Sequence, residues 1–140
     1  MWIFYAFLSA GTAALVAIFA KLGLKSIDGT LATTIRAIIM TLFLLLVSVS
    51  LKKFNGFSFQ SLSNREWMLI ALSGIAGALS WLFYFFALKT GSASAVSAID
   101  RLSVVFVVAL AFLFLGEALT WKSATGAILI AIGAILITLK

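Results

Sequence analysis

Residues 67–88 read WMLIALSGIAGALSWLFYFFAL, an apolar segment of 22 residues that contains no charged side chain. As a helix rising ~1.5 Å per residue, this segment is long enough to cross a hydrocarbon layer about 30 Å thick. The backbone amides and carbonyls of such a helix pair within the helix, as a lipid environment requires. The segment therefore predicts a transmembrane helix.

Four other apolar segments have a similar length, and polar connections separate them. Arg36 interrupts the second span, and Asp100 and Arg101 interrupt the fourth. A β-barrel would need strands of about ten residues with alternating apolar and polar side chains, and these continuous runs show no such alternation. We therefore predict an all-α integral membrane protein with a single transmembrane domain, 1–140. Its five transmembrane helices cover about 2–20, 29–51, 67–88, 92–115 and 123–139.

The composition lies outside the range of soluble domains, because 64% of the residues are apolar and only 10% are charged. The sequence contains no Cys and no His, which excludes disulfide bonds, thiol catalysis and His-ligated metal. No combination of nucleophile and base stands out. We therefore predict no enzyme activity, no catalytic residues, no cofactor and no metal site.

A cleaved signal peptide is the alternative interpretation of the uncharged, hydrophobic N-terminus. This N-terminus has no basic leader, and its apolar run exceeds the usual length of about 7 to 15 residues. We therefore interpret it as the first span.

The net charge of +6 would suggest nucleic-acid binding in a soluble protein, but Lys and Arg near span ends set the orientation of a membrane protein. We expect no nucleic-acid partner. Five spans leave the termini on opposite sides, and the cations outside the spans divide equally between the sides. Lys52, Lys53, Arg65 and Lys122 lie on one side, and Lys21, Lys25, Lys89 and Lys140 lie on the other.

This balance predicts dual topology, in which copies of the chain insert in both orientations. Counting Arg36 and Arg101 as well gives four cations against six, which is still a weak preference. The alternative is a single orientation that the translocon or a partner fixes.

The charges inside the spans are candidate functional groups, because charge is costly within a bilayer. Arg36 lies roughly 9 Å and Asp100 roughly 12 Å into spans that enter from the same face, so the two residues can form an ion pair. Arg101 then remains as surplus positive charge. The functional interpretation is a gate or an anion-favouring site, and the alternative is a structural pair with a snorkelling Arg101. Asp100 is the only carboxylate within a span and hence the only plausible proton carrier.

Small and polar residues recur at helical spacing in three spans, either to line a cavity or to let helices pack closely. The stripes are Tyr5, Ser9 and Thr12; Ser73, Gly77, Ser80 and Tyr84; and Ser94, Ser97 and Arg101. Trp81 lies deeper than an interfacial aromatic belt, so we include it among the candidates. The predicted substrate-binding residues are Arg36, Ser80, Trp81, Tyr84, Asp100 and Arg101.

The fifth span carries a ridge of small residues and no polar group that would suit a cavity. The sequence Gly-Ala-Ile-Leu occurs at 126–129 and again at 133–136. Small residues at this spacing favour close helix approach, although such patterns are also frequent by chance. We predict an oligomer contact here, made by Gly126, Ala127, Ala131 and Gly133.

Three motifs resemble the EamA-like drug/metabolite transporters, and the similarity runs through all five spans. They are ALKTGSAS at 87–94, FLFLGEALTW at 112–121 and the Gly-Ala-Ile-Leu helix. The segment IDRLS at 99–103 is similar to the start of the fourth span in the short, five-span members. Longer relatives usually have a proline in that region, and this chain has none.

The resemblance implies an inverted-repeat transporter, since ten-span members consist of two inverted five-span units around a central cavity. This chain would be half of such a transporter, acting as an antiparallel homodimer in the cell inner membrane. Leu115, Gly116 and Glu117 would form a structural helix terminus. The related small multidrug resistance transporters use a Glu in their first span, and this chain has no acid between residues 2 and 20.

We therefore predict a secondary transporter subunit that moves a small polar metabolite by alternating access, with the lipid bilayer and a second copy as its partners. An anionic or zwitterionic solute is favoured over a cationic drug because of the surplus positive charge. Two alternatives remain: a subunit of a lipid-linked carrier translocase and a non-transporting membrane assembly factor.

Overall fold

The computed structural model describes residues 1–24 and 26–139, and this part of the chain is helical without strands. The all-α class is confirmed, and five helical segments are long and apolar enough to cross a membrane. Lys25 and Lys140, which contributed to the predicted charge balance, lie outside the described residues. The helices are α1 (Trp2–Gly23), α2 (Gly29–Ser50), α3 (Asn64–Thr90), α4 (Ala93–Asp100), α5 (Ser103–Leu110) and α6 (Trp121–Thr138), with a 3₁₀ helix at Phe59–Ser61 and a π-helical turn at Ala111–Leu115.

Side-chain caps define where the helices begin. The Asp28 Oδ1 atom accepts hydrogen bonds from the amides of Thr30 at 2.8 Å and Leu31 at 3.2 Å, so Asp28 caps α2. Donation from the amides of Leu31 and Thr30 holds the pKa of the Asp28 carboxyl below its ordinary value.

A capping box forms at the start of α3. The Ser63 amide donates to Glu66 Oε2 at 2.7 Å, and the Glu66 amide donates back to Ser63 Oγ at 3.3 Å. This reciprocal pair satisfies two amides that a helix start would otherwise leave without partners.

The fourth span tightens in its middle although the chain contains no proline. The amide of Leu102 donates to Ile99 O at 2.9 Å and the amide of Val105 donates to Leu102 O at 2.9 Å, which are bonds between residues three apart. These 3₁₀-type bonds tighten the backbone between α4 and α5. Asp100 and Arg101 therefore lie at a tightened turn, and Arg101 and Leu102 keep right-handed helical backbone angles.

The predicted helix terminus at Leu115, Gly116 and Glu117 is confirmed. Gly116 adopts the left-handed conformation with φ 67°, and the Glu117 amide donates to Ala111 O at 3.2 Å. Glycine adopts this conformation without the steric cost that a Cβ would add. The π-helical turn thus ends span four before the short connection to α6.

The described residues form two compact units, of which Gly23–Lys89 is one. Within it α2 and α3 run antiparallel, because Gly29 lies beside Phe86 and Arg36 lies beside Trp81. A Cβ added at Gly29 would lie only 3.0 Å from Phe86 Cδ1, so glycine permits this close approach. The indole nitrogen of Trp67 donates to Phe59 O at 3.3 Å and fixes the connection onto the start of α3.

The other unit consists of Met1–Leu22 and Thr90–Lys140. Its buried residues, among those described, are small: Ala17, Ala98, Ala111, Ala127 and Ala134 each have at most 8% of their surface exposed. Because these buried side chains are short, α6 can approach α4 and α5 closely, as membrane helices often do. The assignment of the whole chain to one domain, 1–140, remains a prediction.

Candidate solute-binding site

A cavity of about 530 Å³ lies in the unit that contains α1, α4 and α6. Its size falls within the range of about 300 to 1,000 Å³ that is typical of small-molecule sites. Most of its wall is apolar, with a few polar groups along one side. The residues that line it are Ala10, Ala13, Ala14, Ala17, Ile18, Ala93, Ser94, Ser97, Ala98, Arg101 and Ile137.

The α1 wall consists of alanines at helical spacing. Ala10, Ala13, Ala14 and Ala17 follow intervals of three, one and three, which places them on one face of the helix. Alanine side chains offer no hydrogen bond and project little, so this wall is smooth and leaves the cavity open.

The cavity has one end at the beginning of α4. There the Lys21 Nζ atom donates a hydrogen bond of 2.7 Å to the carbonyl oxygen of Gly91. The lining residues of α1 precede Lys21 in the sequence, and those of α4 and its C-cap follow Gly91. Both sets of residues therefore lie on the same side of this hydrogen bond. Arg101, ten residues beyond Gly91, consequently lies about 15 Å along the helix axis from the bond.

The polar side of the cavity is the predicted stripe of span four. Ser94, Ser97 and Arg101 follow intervals of three and four and all line the cavity. Ser92 caps α4 by accepting a 3.3 Å hydrogen bond from the Ala95 amide, which fixes the start of the stripe. The structure therefore shows these three residues lining a cavity, one of the two roles that the sequence allowed.

The Arg101 guanidinium has an ionic neighbour but no hydrogen bond to it. Its Nη2 atom is 3.8 Å from Asp100 Oδ2, and the side chains are 54% and 37% exposed. A separation of 3.8 Å is too long for a hydrogen bond, so Asp100 offsets the charge of Arg101 without occupying its donors. Asp100 itself does not line the cavity.

A second group of predicted residues lies in the other unit, between α2 and α3. The Arg36 guanidinium carbon is 3.6 Å from the ring centroid of Trp81 and 5.8 Å from that of Phe85. Tyr84 packs edge-on against Trp81, with centroids 5.5 Å apart. We call Arg36, Trp81, Tyr84 and Phe85 the aromatic cluster. It is a cation–π arrangement, in which ring faces offset the cost of a half-buried charge.

The predicted substrate-binding residues thus fall into two groups. Arg36, Trp81 and Tyr84 are in the aromatic cluster, and Ser80 is exposed on α3 nearby in sequence. Asp100 and Arg101 are in the unit with the cavity. A pair between Arg36 and Asp100 would join the two units and remains a prediction.

The alanine wall of α1 was not predicted from the sequence. Tyr5, Ser9 and Thr12 were the predicted stripe of this span, and all three are exposed; the Thr12 hydroxyl donates to its own helix at Leu8 O, 2.9 Å away. Alanines carry no chemistry that attracts attention in an apolar chain. Their i, i+3, i+4, i+7 spacing was the one signal that could have identified them.

The residues of the predicted oligomer contact on α6 are partly buried within the single chain. Ala127 is 8% exposed, whereas Gly126, Ala131 and Gly133 are half-buried. Ala127 also lines an apolar cavity of about 320 Å³ between α5, the π-helical turn and α6. An oligomer contact through the half-buried residues remains a prediction.

Comparisons with known proteins point to a transporter. Residues 1–139 match the model of the EamA-like transporter family. A protein of Sinorhizobium sp described as an uncharacterized transporter in the cobO 3′ region is 40% identical over 136 residues, which cover 97% of this chain and 95% of that protein. No solved structure matches this chain.

Proposed function

Because this chain belongs to the EamA-like transporter family and is a multi-pass membrane protein, we propose that it moves a small polar metabolite across the inner membrane. It acts as one half of a secondary transporter with alternating access, and a second, inverted copy of the chain supplies the other half. The observation that carries this proposal is the cavity between α1, α4 and α6.

The cavity supports solute binding through its combination of surfaces. Ser94 and Ser97 supply hydroxyl groups and Arg101 supplies a permanent positive charge, all on one wall of a space about 530 Å³ in volume. A few polar groups within an apolar cavity are the usual arrangement for orienting a small ligand. The tightened turn between α4 and α5 lies beside Arg101.

The inverted copy is supported by parity and by exposure. Five spans leave the two ends on opposite sides, and the cations outside the spans are balanced. Large apolar side chains on every membrane helix are exposed in the single chain, for example Phe43 at 62% and Phe106 at 65%. Lipid and a second copy would both cover such surfaces.

A transport assay with a mixture of solutes tests this function without knowledge of the substrate. Purified protein in proteoliposomes is incubated with a water-soluble cell extract labelled with ¹³C, and retained solutes are identified by mass spectrometry. We expect at least one labelled polar solute to accumulate above the level in protein-free liposomes. Arg101→Gln should abolish this accumulation.

Lys122→Gln is the matched control, since it also removes one positive charge but at an exposed position that does not line the cavity. Accumulation should persist in this variant. Equal retention in protein-containing and protein-free liposomes would contradict the proposed transport.

A further inference from the structure

The residues that line the cavity also indicate which class of solute it accepts. Among the described residues that line it, one has a charged side chain, Arg101, and it is a cation. A guanidinium has five N–H donors, accepts no hydrogen bond and stays protonated at any physiological pH. The charged group on the wall is therefore suited to an anionic head group and unsuited to an ammonium group.

Asp100 does not cancel this preference. It lies outside the cavity wall, and its carboxylate is 3.8 Å from the guanidinium, beyond hydrogen-bond distance. Asp100 thus lowers the cost of placing Arg101 within the membrane while leaving the donors of Arg101 available. With 54% of its side chain exposed, Arg101 has room to receive a ligand oxygen.

The opposite wall excludes a second class of solute. Ala10, Ala13, Ala14 and Ala17 present only methyl groups, and Ile18 and Ile137 extend the apolar surface. A sugar or a polyvalent anion would leave its polar groups without partners against this wall, and burying polar groups without hydrogen-bond partners is costly. A compact apolar body would instead gain from contact with the methyl groups.

We infer that the cavity binds an amphipathic monoanion, with its head group at Arg101 and its apolar body along the alanine face of α1. This inference rests on the proposed transport function for its physiological meaning, but it concerns binding and can be measured by itself. The hydroxyl groups of Ser94 and Ser97 lie on the same wall as Arg101 and orient the head group.

Three isosteric probes separate the contribution of charge from that of shape. They are 3-methylbutane-1-sulfonate, the neutral 3-methylbutane-1-sulfonamide and the cation 3-methylbutyl-trimethylammonium. Binding of each is measured by calorimetry to the protein in nanodiscs of phosphatidylcholine. We expect the sulfonate to bind about tenfold more tightly than the sulfonamide, as charge-assisted hydrogen bonds to a guanidinium predict, and the cation to bind most weakly.

Two variants assign the preference to Arg101 and to the cavity. Arg101→Gln should reduce the preference for the sulfonate to less than about twofold, whereas Lys122→Gln should retain it. Ala14→Leu, at an exposed position of the α1 wall, should weaken the binding of sulfonate and sulfonamide alike because it fills the cavity. This second variant tests the site even if Arg101→Gln does not fold, which circular dichroism and size-exclusion chromatography would show.

The inference is overturned if sulfonate and sulfonamide bind equally, if the cation binds best, or if no probe binds at millimolar concentration. Repeating the titration in nanodiscs that contain phosphatidylglycerol distinguishes a free solute from a lipid head group. Unchanged sulfonate affinity supports the solute, and a tenfold loss would assign the cavity to an anionic lipid. Anion preference without any flux in proteoliposomes would contradict the transport function and leave the binding assignment intact.

Discussion

At the scale of single residues, Arg36 shows how this chain places a charge in a membrane span. Its guanidinium lies 3.6 Å from the Trp81 ring centroid, and Phe85 adds a second ring face. The ring faces are electron-rich, so they stabilise the cation without adding a carboxylate. Arg36 therefore links α2 to α3 and also remains a candidate contact for solute in the proposed transporter.

We predict a measurable coupling between Arg36 and Trp81. In a double-mutant cycle of Arg36→Gln and Trp81→Leu, the coupling free energy should be about 0.5–2 kcal/mol, the range of cation–π contacts from exposed to desolvated sites. The readout is stability in detergent, followed by size-exclusion chromatography after heating. Arg36→Gln with Phe83→Leu is the control cycle, because Phe83 is 63% exposed. Strictly additive effects in the Trp81 cycle would refute the contact.

Asp28 gives a second prediction at the residue scale, which concerns how the stability of the protein depends on pH. Its pKa is lowered from the ordinary value of 3.8 because the Leu31 and Thr30 amides donate to the carboxylate. A group whose pKa is lower in the folded state contributes stability above its unfolded pKa and loses it as the pH falls through the folded pKa.

The cap should therefore stabilise the protein at neutral pH and lose this effect in acid below the ordinary pKa. Asp28→Asn retains an oxygen acceptor but cannot titrate in this range, so the wild type should lose more stability than this variant on acidification. Melting temperatures of the two proteins across the acid range make the comparison. Parallel curves would show that Asp28 does not contribute in this way.

At the scale of helices, the short side chains of α6 determine how closely the fourth and fifth spans pack. Ala127 is 8% exposed and lies beside α5, while its neighbour Ile128 is 60% exposed. The sequence identified the ridge of small residues on α6 but not the helix against which the ridge packs. A pattern of small residues is the same whether the partner helix belongs to this chain or to another copy.

Ala127→Leu should consequently destabilise the folded chain by about 1–3 kcal/mol through overpacking. Ile128→Leu, a change of shape at an exposed position, should have a much smaller effect. Melting temperatures measured at several protein concentrations separate packing within the chain from association. A loss of oligomer in Ala127→Leu with unchanged melting of the monomer would contradict burial within the chain.

The sequence predicted those elements of the fold that depend on residues close to one another in the chain. The five spans follow from continuous apolar runs. The tightened turn of span four between Asp100 and Ser103 was not predicted, since no proline marks it. The stacking of Arg36 on Trp81 depends on the rotation of two helices, which apolar runs do not encode.

At the scale of the whole molecule, the chain has five spans, and an inverted copy completes the proposed transporter. The family and the five spans are shown, whereas the inverted pairing is our proposal. It requires that the same connection face opposite sides of the membrane in different copies. The balanced cations outside the spans permit this, because neither side holds the excess that normally fixes orientation.

The most direct measurement is labelling of single cysteines in intact cells, placed separately at Ser26 and Asn55. Both positions are exposed, they lie beyond opposite ends of α2, and the natural chain contains no cysteine. An impermeant maleimide should label each variant to a partial extent, since each site faces outward in only some copies. Complete labelling of one site and none of the other would contradict dual topology and require a partner of opposite orientation.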